Sequence, residues 1–147
     1  MDKDKRLSHH YVWLFALVAV VGGVGLSFAT AGAGVKVSAA VFFAFVGLMA
    51  FLGAYLTRAT ALQAIGPFLL ASGALGAIYY AIARSLVSAA ADSVGVGAHA
   101  GGAASAFGAV VAFLITFDAL AASVGGGLFG LKLRAVKAPG ELIRRPA

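Results

Sequence analysis

Asp118 is the residue in this sequence best placed to do chemistry. It lies in Phe113-Leu114-Ile115-Thr116-Phe117-Asp118-Ala119-Leu120, inside an apolar run, where an ionised side chain near the centre of a membrane helix costs at least about 2.5 kcal/mol. A carboxyl group kept there has to be neutral, hydrogen-bonded to a neighbouring helix, or matched by a cation from this chain or another. Two readings follow: a proton- or cation-binding site at the membrane midplane, or a carboxyl that fixes helix packing. Arg84 is the other charge well inside an apolar run. An antiparallel arrangement of the two runs separates their charges by roughly 15 Å in depth. Arg84 is therefore expected to reach outward to the headgroups, with Tyr79 and Tyr80 beside it as interfacial anchors.

The other reactive residue types exclude more than they suggest. The chain has no cysteine, which removes disulfides, thiolate metal sites, iron–sulfur clusters and cysteine nucleophiles. A haem inside a bundle needs imidazoles at facing depths, whereas His9 and His10 precede the first apolar run and His99 falls in a connection. Adjacent histidines also point about 100° apart on a helix and lack the i, i+4 spacing of a metal pair. No histidine stands at the depth of Asp118 to complete a nucleophile, base and orienter. A G-x-x-x-x-G-K-[ST] loop is missing, and the glycines of 95–102 have neither the G-x-G-x-x-G spacing nor a preceding strand. The expectation is a non-catalytic protein without a metal or cofactor of its own.

The elements that must position these residues are set by composition. Of 147 residues 62% are hydrophobic and 11% charged, with 20 glycines and a mean hydropathy of +1.01. A soluble domain has roughly a quarter of its residues charged, so the fold class expected is all-α: a polytopic membrane protein of four transmembrane helices in an up-down bundle. From Tyr11 to Thr57 the only charge is Lys36, and one helix of that length would be roughly 70 Å long, over twice the bilayer core. It must fold back, and the small residues Thr30-Ala31-Gly32-Ala33-Gly34 mark the turn. The expected spans are 11–29, 35–56, 61–87 and 106–131, all within one integral membrane domain, 1–147. Pro67 falls in the second turn of the third span, where few backbone donors are lost. The Ala/Gly/Ser-rich stretch 88–105 is expected to be a mobile extracytoplasmic loop, and 132–147 a basic tail.

Charge then orients the chain. The net charge of +6 suggests nucleic acid until the basic residues are located flanking the spans, where membrane orientation explains them. With both termini and the Arg58 connection on one side, Lys3, Lys5, Arg6, Arg58, Lys132, Arg134, Lys137, Arg144 and Arg145 oppose Lys36 and Arg84. Both termini are thus expected to be cytoplasmic, the protein multi-pass in a prokaryotic inner membrane, with its tail able to contact anionic headgroups at up to about 1 kcal/mol per basic residue. Ala29-Thr30-Ala31 also resembles a signal-peptide cleavage site. Asp2, Asp4 and the length of the apolar run speak for a retained first span.

On the fourth span Gly108, Ala112, Ala119, Ala122, Gly126 and Gly130 fall near one line, and Gly126 with Gly130 makes a G-x-x-x-G. That face suits close approach of another helix, in this chain or a partner. Phe42, Phe43, Phe45 and Phe51 surround much of the second span and point to lipid or a larger partner as well as neighbouring helices. The carboxylate midway along a fourth apolar span invites comparison with rotary-ATPase proteolipids, which are small and glycine-rich. Those carry a repeated glycine pattern and a polar cytoplasmic loop, whereas here the first connection is five small residues on the expected outer side, and the chain is not assigned to them. The function expected is that of an accessory or scaffolding subunit of a larger membrane complex or a small homo-oligomer. The alternative is a proton- or cation-translocating component that uses Asp118.

Overall fold

The computed structural model describes residues 7–136, and of Ala98 and His99 the backbone alone. Lys3, Lys5, Arg6 and the tail from Lys137 onward lie outside the described residues. Backbone groups surrounded by hydrocarbon have no water to bond, so long apolar runs satisfy them internally as helix. Four helices form: α1 (Tyr11–Ala29), α2 (Val35–Leu56), α3 (Ala61–Ser93) and α4 (Gly97–Val136). All four are long and apolar enough to cross a membrane. At 1.5 Å per residue α1 and α2 measure about 28 and 33 Å, close to the thickness of a bilayer core.

The turn between α1 and α2 is a single 3-10 turn, Ala31–Ala33, followed by Gly34 at φ +95°, a left-handed conformation that glycine adopts without steric penalty. The Thr30 hydroxyl donates to the Leu26 carbonyl at 2.7 Å, and Ser38 on α2 donates to the Thr30 carbonyl at 2.8 Å. Helix α3 starts on a reciprocal capping box: the Thr60 hydroxyl accepts from the Gln63 amide, and the Gln63 side chain accepts from the Thr60 amide. Pro67 is accommodated within α3 and buried.

The expected loop 88–105 is mostly helix. Helix α3 runs on to Ser93 and α4 begins at Gly97, leaving residues 94–96 as the whole connection. Alanine, which dominates this stretch, is the strongest helix former, and Ala91, Ala104 and Gly108 are buried. The reversal uses Gly95 at φ +77°, with Val96 donating to the Ala91 carbonyl (3.0 Å) and Gly95 to that of Asp92 (3.1 Å), the pairing of a Schellman cap.

Around the bundle the helices follow the order α1, α2, α4, α3, with α2 and α3 meeting across it. Buried residues form two layers. One holds Val12, Ala16, Ala50, Ala54, Ala64 and Phe68; the other holds Phe42, Val46, Leu75, Ala119 and Ala122. Alanine and glycine are so frequent that the helix axes come close, and packing contact replaces the bulky interlock of a soluble core.

Beyond the first layer, where α2 ends, several backbone carbonyls lose their helical partners. The hydroxyl of buried Thr57 donates to Gly53 O at 2.6 Å, and Leu7 N donates to Leu56 O at 3.2 Å. Arg134, in the last turn of α4, adds further donors: its guanidinium donates to the carbonyls of Ala54 (3.3 Å), Thr57 (2.8 Å) and Ala59 (2.9 Å). A cation at the C-terminal end of α2 also complements that helix's dipole. One side chain thus joins α4 to α2 and to the α2–α3 connection.

Replacing Arg134 by Met is expected to destabilise the bundle by about 2–4 kcal/mol, since it strands carbonyls that bond a charged donor. Arg134→Lys should recover only part of that, because one ammonium lacks the fork that reaches three carbonyls. The exposed Lys132→Met should stay within about 0.5 kcal/mol of the parent. Thermal unfolding in detergent reads all three.

Candidate functional site

Asp118 stands on the exposed flank of α4, one turn after Ile115. Both residues line a cavity of about 260 Å³ to which every helix contributes: Ser27 from α1, Ala31 from the turn, Val35, Ser38, Ala39 and Phe42 from α2, and Tyr79 from α3. The depth of the site follows from the register of α2 and α4. A Cβ on Gly126 would run into the Gly47 carbonyl, one on Gly130 into that of Phe51, and Arg134 bonds the carbonyl of Ala54. The same offset puts Asp118 beside Ala39, four residues, or about 6 Å, from the start of α2. Asp118 therefore belongs to the end of the bundle that carries the α1–α2 turn. Along α4 itself, Gly97–Val136, Asp118 stands near the middle, as it does in the span 106–131 expected from sequence. It is relative to the shorter α2 that it lies toward the turn.

The polar groups around the cavity differ in what they have left to offer. The Ser27 hydroxyl donates to Gly23 O (2.9 Å) and that of Ser38 to Thr30 O (2.8 Å), with the Thr30 hydroxyl 3.1 Å from Ser38 Oγ, so each serine proton is used and a lone pair on each oxygen remains as acceptor. Tyr79 is half-buried, its ring edge-on to Phe42 with centroids 6.3 Å apart. Its hydroxyl is buried without a hydrogen-bond partner, as is that of Ser123 elsewhere on α4. An unpaired buried hydroxyl costs about 1–3 kcal/mol. Tyr79 is thus turned into the bundle, where the sequence suggested an interfacial anchor. Tyr80 packs over Gly108 and Arg84 is exposed.

A second cavity of about 290 Å³ adjoins the first, sharing Ser27, Ala31 and Tyr79. Its other walls are Phe28, Ile82, Ala83, Leu86, Phe107 and Val111, all apolar. The second buried layer adjoins the Asp118 cavity, Phe42 belonging to both, and the first lies beyond it toward the Arg134 end. Among the described residues no three His, Cys, Asp or Glu side chains come together as a metal set. His9 and His10 are exposed beside the start of α1, their ring centroids 3.9 Å apart and their planes tilted by 39°.

The small-residue stripe of α4 is consumed within the chain. Gly108 faces Tyr80, Ala112 and Thr116 close on Gly76, and Ala122 and Gly126 meet Gly47, while Gly130 meets Phe51 and Ala54. Ala119 is fully buried. The phenylalanines of α2 divide: Phe42 is buried, Phe45 covers Gly22, Phe51 packs on Tyr55 and Phe129, and Phe43 is exposed. Sequence reasoning did not single out Arg134, Ser38 or Thr57. Arg134 was read as orientation charge, and no local sequence signal sets it apart from the other basic residues that follow the fourth span. The chain matches no protein-family model, no curated protein and no solved structure.

Two neighbouring glycines test the α2–α4 contact. Gly125 is exposed with nothing near its missing Cβ, whereas a Cβ on Gly126 collides with the Gly47 backbone. Gly125→Ala should be neutral or stabilising by up to about 1 kcal/mol through helix propensity. Gly126→Ala should destabilise by about 1–3 kcal/mol, because backbone must move to admit the methyl. Thermal melting of the two variants side by side decides the matter.

Proposed function

We propose that this chain is a non-catalytic integral membrane protein, an up-and-down bundle of four crossings with both termini in the cytoplasm of a prokaryotic cell, serving as an accessory or scaffolding subunit of a larger membrane assembly. The observation that carries the reading is the apolar surface at the far end of the α3–α4 hairpin. Ala31 of the α1–α2 turn shares a cavity with Leu86 and Phe107, so residues 87–93 and 97–106 extend beyond the turn by about 10 Å of α3 and more of α4. Val94 and Val96 at the tip are 72 and 51% exposed, and Leu86 and Phe107 at its base, level with the turn, 66 and 52%. If α1 and α2 mark the bilayer, this tip stands at or past the outer headgroups, where apolar side chains gain most from protein contact. Since the small-residue stripe is already spent on internal packing, the tip is the surface left for a partner.

A second reading, in which the chain binds a cation at Asp118 as part of a translocation path, is supported by the cavity that all four helices line. The buried layers on its Arg134 side favour a path shared with other subunits over one through a single copy.

Blue-native electrophoresis of membranes in mild detergent should show the chain migrating with other subunits. The double change Leu86→Gln, Phe107→Gln should release it as a folded smaller species. A parent that runs as a monomer would overturn the accessory reading, and a discrete homo-oligomer would replace it with self-association. The absence of native cysteine makes orientation a clean measurement. Ser93→Cys should react with a membrane-impermeant maleimide on intact cells, and Ser8→Cys only after permeabilisation.

A further inference from the structure

We infer that the paired cavities at the turn end form a binding site for an organic ammonium ion with an apolar chain. This rests on the second reading's premise that Asp118 faces a cation, and is independent of translocation. The first cavity holds one carboxylate, Asp118, and two serine oxygens whose protons are committed elsewhere. One negative charge with a few acceptors matches a monocation that carries N–H donors. A divalent ion would need six or more oxygens and several carboxylates. The remaining wall is apolar, with the Phe42 and Tyr79 rings edge-on to each other in the cavity that Asp118 also lines, surroundings that suit an organic cation better than a hydrated alkali ion. The hydroxyl of Tyr79, a residue lining both cavities, is buried without a partner, and a small rotation of the ring would let it pair with an incoming group. The adjoining cavity, which shares Ser27, Ala31 and Tyr79 with the first, is otherwise apolar and has room for the alkyl part. Head and tail of the ligand therefore have separate, adjacent seats.

The ammonium can belong to a free alkylamine or to the headgroup of an aminophospholipid. Calorimetric titration of the purified protein in dodecylmaltoside separates these. Saturable binding of n-butylammonium is expected, at least about tenfold tighter than methylammonium because three more methylenes are buried. 1-Butanol should not bind. Asp118→Asn should weaken n-butylammonium at least about tenfold through loss of the charged hydrogen-bonded pair. Competition by dihexanoyl phosphatidylethanolamine but not by dihexanoyl phosphatidylglycerol assigns the lipid source; its lack assigns the free amine. Methylammonium and n-butylammonium binding equally would overturn the inference, as would undiminished binding by Asp118→Asn. If that variant does not fold, the ladder of amines and the alcohol on the parent protein still decides. Saturable binding of sodium or potassium without any amine binding would overturn the inference and leave the cation reading standing. Binding of no cation would end both.

Discussion

A helix that ends where water does not reach must find donors for its last carbonyls, and the end of α2 shows how far this chain goes to supply them. Thr57 turns its hydroxyl back on Gly53, Leu7 lends its amide to Leu56, and Arg134 reaches Ala54, Thr57 and Ala59. These donors come from the residues before α1, from the α2–α3 connection and from the end of α4. Satisfying one helix terminus therefore fixes all four helices at that end. The requirement is severe because an unpaired buried backbone group forfeits about as much as a hydrogen bond contributes.

With that end fixed, the rest of the bundle is held by proximity more than by bulk. The hydrophobic effect does little to drive apolar helices together in lipid, so contact has to come from backbones that approach closely. Gly47 against Gly126, Phe51 against Gly130 and Gly76 against Thr116 are such contacts. They run along both seams of α4, which is accordingly the central element of the packing. Large side chains are displaced outward: Trp13, Leu14, Leu17, Phe113 and Phe117 are exposed, a distribution inverted from that of a soluble protein and suited to lipid. Within the apolar stretch of α4 the exposed charged residue is Asp118, whereas exposed Lys132 lies in the last turns of the helix.

Where one physical rule dominated, the sequence was easy to read. The run from Tyr11 to Thr57 had to break, and the glycines at 32 and 34 left one place for it, so α1 and α2 have the bounds that length and turn chemistry predict. Between Ser88 and Ser105 two rules competed. Alanine favours helix and glycine favours irregular chain, and a composition that mixes them does not declare the winner. Contact with a neighbouring helix did, through buried Ala91, Ala104 and Gly108. Asp118 was visible as a carboxylate midway along an apolar run, but the part of α2 it faces was not. That is a property of register, set by Gly126 and Gly130 against α2. Arg134 was masked by its company, one of several basic residues after an apolar span, and nothing local distinguishes the one that folds inward.

The two ends of the bundle consequently have opposite characters. At the Arg134 end the polar atoms are paired with one another and the packing closes over buried Thr57 and Ala59. At the turn end, Asp118 and Tyr79 line a cavity, and the Tyr79 hydroxyl is buried without a partner. Residues whose only task is packing tend to end up satisfied, because a buried polar group left open costs stability that apolar substitution would recover. The Tyr79 hydroxyl is such a group, since phenylalanine would preserve its contact with Phe42 and remove the penalty. That Tyr79 and Asp118 line the same cavity, in a chain otherwise so sparing with polar side chains, argues that the turn end is organised around an interaction made with something outside the chain.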